Sequence, residues 1–406
     1  MEHSAAILKA LARAILNGQP VDELLRPFAE RNRTAVLPRY RDLVRLLGAD
    51  EDLRLLLTEH ADELALEPRL LMPAPLMTGA WNLPAIVTPG DLADWLALTP
   101  GELDWFADLK ALGYKNRNSR LRHYHYRVLD KGDGTVRVIE APKPRLKWIQ
   151  QRVLAGILDR IPPHPAAHGF VKGRSVKTFA APHVGQRVVL RLDLRDFFPS
   201  ICGARIQSLF RTLGYPEKVA DLLGGIATNC VPRDVARDPM FARPHLPQGA
   251  PTSPALANMC FYRADCRLAG LAESAGASYT RYADDLAFSG GEEFHRRVER
   301  FSVHVAAVLH DEGFAVHHRK TRIMRQGVRQ HLAGIVANQR LNIWRADYDR
   351  LKAILTNCGR FGPAGQNRED HPDFRAHLEG RVSYVASIHP KKGEKLRAIL
   401  RTITWT

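Results

Sequence analysis

Asp193, Asp284 and Asp285 are the residues of this sequence best suited to chemistry. Asp284 and Asp285 are adjacent, and Asp193 lies near the end of the stretch Arg187 to Leu194, in which Val188, Leu190 and Leu192 alternate as on one face of a strand. Ionised carboxylates only accept hydrogen bonds. Hard cations such as Mg²⁺ take a few of them, with phosphate oxygens and water completing the octahedron. Two adjacent aspartates at a hairpin turn, facing a third at the end of a neighbouring strand, could hold two such ions roughly 3.5 to 4 Å apart, the spacing used in nucleotidyl transfer. An Asp-Asp pair alone is most simply a solvated turn, so its surroundings must decide.

Those surroundings are basic. The 406 residues carry 59 Lys and Arg against 43 Asp and Glu, a net charge of +16, which favours a polyanionic partner through counterion release. Residues 1 to 100 hold 10 cations and 14 anions, so the excess lies in the rest of the chain. The composition, 45% hydrophobic, suits a sizeable core in two or three units and argues against a disordered chain. Cys202, Cys230, Cys260, Cys266 and Cys358 show neither zinc-site spacing nor the density of a secreted disulfide scaffold. The N-terminus lacks a basic segment ahead of a long apolar one, and no run approaches about 18 apolar residues. These readings predict reduced thiols, a cytoplasmic location and no membrane partner.

The elements that would position the aspartates follow from periodicity. Residues 5 to 70 read as helices from leucines at three- and four-residue spacing, and prolines interrupt residues 68 to 88. Thr88-Pro89-Gly90-Asp91 and Thr99-Pro100-Gly101-Glu102 are each a helix start, with a capping hydroxyl, a first-turn proline and an acid that can close a capping box. Alternation from Tyr124 to Val138 around Asp130-Lys131-Gly132-Asp133-Gly134 predicts a β-hairpin. Helices are expected over Leu146 to Ile161, from Ser253 toward Leu268, and from about Asn342 onward. Ser278 to Ala283 and Leu286 to Phe288 are the strands flanking the Asp pair. The order predicts an α+β fold, a small antiparallel sheet backed by helices.

Three segments together, Arg191 to Ile201 (RLDLRDFFPSI), Leu246 to Pro254 (LPQGAPTSP) and Tyr282 to Asp285 (YADD), resemble the reverse-transcriptase family in order and separation. The resemblance implies a right-hand polymerase: an N-terminal helical extension over 1–100, fingers and antiparallel-sheet palm over 101–338, and a helical thumb over 339–406. It implies an RNA-directed DNA polymerase that uses Mg²⁺ held by Asp193, Asp284 and Asp285, with dNTPs as substrates.

It also implies roles for neighbours. Phe198 would lie beneath the incoming sugar and clash with a 2′-hydroxyl, which favours DNA as product; the competing reading is a core aromatic beside Phe197. Gln248-Gly249 matches the nucleotide-contacting loop. Arg137 and Lys143 resemble the residues that clamp the triphosphate, and Lys320 a lysine that helps protonate the leaving pyrophosphate. Arg137 and Lys143 could each equally sit on a solvated basic face, and several cations beside Lys320 could substitute for it.

His168 to His183 (HGFVKGRSVKTFAAPH) is similar to bacterial retron enzymes, which copy a structured non-coding RNA, as template and primer, into branched RNA-linked DNA (msDNA) and are associated with antiphage defence. Two hallmarks are altered: Phe179 precedes Ala180 where an asparagine is usual, and Leu332-Ala333-Gly334 replaces Val-Thr-Gly. Alternatives are a catalytically idle, polymerase-shaped RNA-binding scaffold, and a related defence enzyme with protein-primed or untemplated DNA synthesis. Residues 1–100 would brace the fingers, dock an effector protein or mediate self-association.

Overall fold

Local signals set most of the elements in this computed structural model, which describes residues 81–405 except 116, 117 and 133. The helical reading of residues 5 to 70, the prolines before residue 81, and turn residue Asp133 lie outside the described residues. Both predicted caps form: α1 (Pro89–Leu96) and α2 (Pro100–Ala107) each begin with a closed capping box. Thr88 Oγ1 accepts from Asp91 N at 3.1 Å while the Asp91 carboxylate accepts from Thr88 N at 2.8 Å. The two Thr-Pro-Gly segments thus start helices, which then bury Leu92, Leu96 and Leu103 in the same core as the sheet. Two helices near the boundary of the expected N-terminal extension therefore belong to the main packing unit.

The predicted hairpin is β1 (Tyr124–Asp130) paired with β2 (Val136–Pro142). Helix α3 starts at Pro144, two residues before expectation, and ends at Gly156 rather than Ile161. A Cβ on Gly156 would lie 2.4 Å from the Trp95 ring, so α1 can approach here only because the side chain is absent.

Strands β3 (Val188–Asp193), β4 (Ala277–Tyr282), β5 (Asp285–Gly290) and β6 (Arg322–Arg325) form an antiparallel sheet in the order β4-β5-β3-β6. Both faces are covered, and the strand period of two sorts the side chains. Val188, Leu190, Leu192, Leu286 and Phe288 join the core made with α4 (Gly203–Thr212), α5 (Glu217–Ala227), α6 (Ser253–Ser274) and α7 (Glu292–Asp311). Val189 and Ala287 face the other way, into a second cluster with Phe179 and the C-terminal helices. That cluster includes a three-stranded sheet, β7 (His331–Leu332), β8 (Ile335–Val336) and β9 (Asn342–Ile343). Helices α8 (Arg345–Phe361), α9 (Phe374–Ile388) and α10 (Pro390–Arg401) complete it, in agreement with the helical reading beyond Asn342.

The altered retron positions serve this packing. Phe179 is fully buried, and His183 bridges the sheet: its ring nitrogens lie 2.6 Å from Ser289 Oγ on β5 and 2.7 Å from Thr280 Oγ1 on β4. Burial pulls the His183 pKa down to about 3, with His168 adding to the effect, so the bridge is made by a neutral ring. Ala333 and Gly334 form the two-residue β7–β8 turn, both with positive φ (45° and 83°), the backbone that such hairpins require.

Candidate active site

The three aspartates meet because the register brings them together. Tyr282 pairs with Asp285, leaving Ala283 and Asp284 as the β4–β5 turn, and Asp193 stands directly opposite Asp285 across β3 and β5. Leu194 N donates to Asp284 O at 2.9 Å, and His317 N to Asp193 O at 2.7 Å, so turn and strand end are tied by backbone. Beneath the turn, Arg281 is fully buried and grips Asp265 with two bonds of 2.9 and 2.6 Å. Its remaining guanidinium nitrogen donates to Asn258 Oδ1 and to Ala283 O. A buried ion pair thus fixes the loop that presents Asp284.

Electrostatically the carboxylates are crowded. Burial raises the pKa of Asp284, with Asp193 and Asp285 adding repulsion; its own backbone bond and Lys320 oppose the rise. Burial also raises that of Asp285, with Arg191 opposing and Asp193 reinforcing. Two cations answer part of this charge. Lys320 Nζ donates to Asp193 Oδ1 at 2.9 Å, and Arg191 Nε to Asp285 Oδ1 at 2.8 Å. Asp284 takes no ion-pair partner among the described residues. Nor, among them, are three acidic, histidine or cysteine side chains already gathered as a metal cage. The donor set nevertheless fits a divalent cation: hard oxygens, partly desolvated and mutually repelling, two of which would exchange a side-chain cation for a metal.

Asp193 and Asp284 line a cleft of about 940 Å³ together with Arg137, Phe198, Gln248 and Lys320, while Asp285 is paired with Asp193 but does not itself line it. The adjacent aromatics divide as the strand end requires: Phe197 is 4% exposed in the core, whereas Phe198 is half-buried and faces the cleft. Phe198 meets both readings in part, packing against the core cluster while also lining the cleft. Gln248 O accepts from Glu140 N at 2.9 Å, pinning this loop to β2. Gly249 has a φ of 136°, and a Cβ there would stand 2.8 Å from Glu140 O, so only glycine allows the approach.

Lys143 is held elsewhere. It does not line the cleft; its ammonium donates to the carbonyls of Ser119 and Arg120 at 3.0 and 2.9 Å. Its position at the turn between β2 and α3 sends the chain toward residues 119–120. Lys131 stands in the cleft instead, at the hairpin tip, 2.7 Å from Asp196 Oδ1. The sequence reading missed Lys131 and Arg191. Arg191 was open to inference: two residues before Asp193, it shares that residue's face of β3.

A family model described as reverse transcriptase (RNA-dependent DNA polymerase) matches residues 129–343. The chain is similar to the retron Mx65 reverse transcriptase of Myxococcus xanthus, 41% identical over 335 residues that cover 81% of this chain and 74% of that one. It is 37% identical to the retron Mx162 reverse transcriptase of the same organism, covering 77% and 66% of the two chains. It is 31% identical to the retron Ec86 reverse transcriptase of Escherichia coli, covering 68% and 79%.

Proposed function

This chain belongs to the bacterial retron-type reverse transcriptases, RNA-directed DNA polymerases, and on that premise we propose that it copies part of a structured non-coding RNA into branched RNA-linked DNA by two-metal nucleotidyl transfer. The observation that carries the reading is the meeting of Asp193, Asp284 and Asp285, the first two lining a cleft with Arg137, Lys131 and Lys320. Bound Mg²⁺ would activate the primer hydroxyl and offset charge on the triphosphate. The protein's own groups do the rest. Asp193 and Asp285 orient their carboxylates through Lys320 and Arg191. Lys320 gives a proton to the leaving pyrophosphate. Gln248, on a loop that Gly249 lets close against β2, contacts the incoming nucleotide, and Phe198 excludes a 2′-hydroxyl.

Residues 101–338 serve as fingers and palm and 339–406 as thumb; residues 1–100 brace the fingers, dock an effector protein or pair with a second copy. Retron kinship supports a role in antiphage defence, in the cytoplasm. No helix among the described residues is long and apolar enough to cross a membrane.

Recovering the enzyme with its native nucleic acid tests the central reading: RNA should co-purify with DNA covalently attached to it. DNA free of any RNA nucleotide would refute branching. Phe198→Ala should lower the preference for deoxy- over ribonucleotides by about a hundredfold; unchanged sugar selection in steady-state incorporation would remove the steric role. Arg137→Ala should raise the dNTP KM about tenfold, because a charged donor to phosphate is lost. Lys143→Ala, whose ammonium is engaged by two carbonyls, should leave that KM within about twofold. Equal effects of the two would contradict the placement.

A further inference from the structure

Phe170 lines the cleft beside Phe198. The segment before it is locked to the β4–β5 turn: His168 N donates to Arg281 O at 2.7 Å, and Asn258 Nδ2 donates to Gly169 O at 3.0 Å. A Cβ on Gly169 would lie 2.4 Å from Ala283 N, so the backbone is as close to the turn as a glycine permits. The next residue, Phe170, takes a φ of 62°, the left-handed region, and leaves 49% of its surface exposed in the cleft. Both features are unfavourable for a phenylalanine: the backbone crowds its Cβ, and the ring stays half in water. A residue held in such a conformation at a functional cleft invites a search for what it contacts.

Its ring lies 6.0 Å from that of Phe198, inclined at 59°, and 6.5 Å from that of Tyr282. Phe198 also meets Phe197, at 5.5 Å and 61°. Phe197 is itself anchored in the core by Phe261 and Phe314, at 5.8 and 5.9 Å. Phe198 is thus held between a core aromatic and a cleft aromatic. A half-exposed phenylalanine has other staggered rotamers open to it, and a steric barrier discriminates only as far as its ring cannot swing away.

We infer that Phe170 is a positioning residue for sugar selection: it closes the free side of Phe198 and keeps that ring where a 2′-hydroxyl would clash. The inference rests on the reading of Phe198 as the sugar barrier. The left-handed backbone at Phe170 is what turns its ring back onto Phe198, and Gly169 lets the segment come near enough to do so.

The test is a cycle of variants in the full-length protein, read as the ratio of kcat/KM for a deoxynucleotide to that for its ribonucleotide on one RNA template. Phe170→Gly accepts the left-handed backbone without strain, so its melting temperature should equal or exceed that of the wild type. Its sugar discrimination should nevertheless fall about tenfold. Phe170→Tyr keeps the ring and should retain the wild-type ratio. In the Phe198→Ala background, Phe170→Gly should cause no further loss, because the ring it positions is gone. If Phe198→Ala lowers discrimination but Phe170→Gly does not, or if their effects multiply, the positioning role is wrong and the barrier reading stands. If Phe198→Ala itself changes nothing, the barrier reading falls and this inference falls with it.

Discussion

Asp285→Asn is expected to slow deoxynucleotide addition by more than about a thousandfold, beyond the 10- to 100-fold typical of losing a residue that merely supports a metal ligand. The fold should survive. An asparagine oxygen can still accept from Arg191, which holds Asp285 now at 2.8 Å, and Asp285 remains paired in the sheet by backbone. What is lost is a hard anionic oxygen next to Asp193 and Asp284. Asp284→Asn should behave alike, with less structural consequence, since its carboxylate has no ion-pair partner among the described residues. Substitution should also show in metal response. Both carboxyls have raised proton affinity through burial and repulsion, so each favours the fold below its unfolded pKa, and that contribution is lost as pH rises through the folded value. Metal-free protein should therefore lose stability as pH climbs from about 4, the ordinary carboxylate value. Mg²⁺ at neutral pH should restore it, by up to about 2.7 kcal/mol at a hundred times its Kd. Calorimetry with and without Mg²⁺ reads this directly. A stabilisation by Mg²⁺ of the same size in the Asp284→Asn, Asp285→Asn double variant would place the metal elsewhere.

Arg281→Met should cost about 3–5 kcal/mol of folding stability, the usual penalty for stranding one partner of a buried ion pair. Arg281 and Asp265 are both fully buried, and the guanidinium also lies 4.5 Å over the Phe261 ring. Removing it leaves Asp265, among the described residues, with only the Tyr279 hydroxyl, at 2.7 Å, as a side-chain donor. It also takes a donor from Ala283 O, which anchors the turn carrying Asp284. Urea denaturation followed by circular dichroism measures the loss. Replacing both members, Arg281→Met with Asp265→Leu, should recover part of it, because no uncompensated charge then remains. A single-variant loss under about 1 kcal/mol would show that the pair contributes little beyond its shape.

What the sequence made legible was governed by local rules. Alternation in Val188, Leu190 and Leu192 delivered a strand ending at Asp193, and the same alternation across Tyr282 and Leu286 placed the Asp pair at a turn. Capping chemistry announced both helices at Thr88 and Thr99. Tertiary placement was not legible. A lysine just after β2 can reach either the cleft or a neighbouring carbonyl, and only the path of residues 119–120 decides it for Lys143. Arg281 carries no local sign of its burial, which depends on Asp265 supplied by α6. Phe170 gives no local sign of its left-handed backbone, which follows from the contact of Gly169 with a turn more than a hundred residues away. The helical reading of residues 5 to 70 lies outside the described residues.

The most direct test is a primer-extension assay on a defined RNA template with dNTPs and Mg²⁺, comparing the wild-type protein with the Asp284→Asn, Asp285→Asn double variant. The geometry at Asp193, Asp284 and Asp285 predicts DNA whose length and sequence follow the template for the wild type, and no product above background for the variant. Equal extension by both proteins would contradict the assignment of the chemistry to these carboxylates.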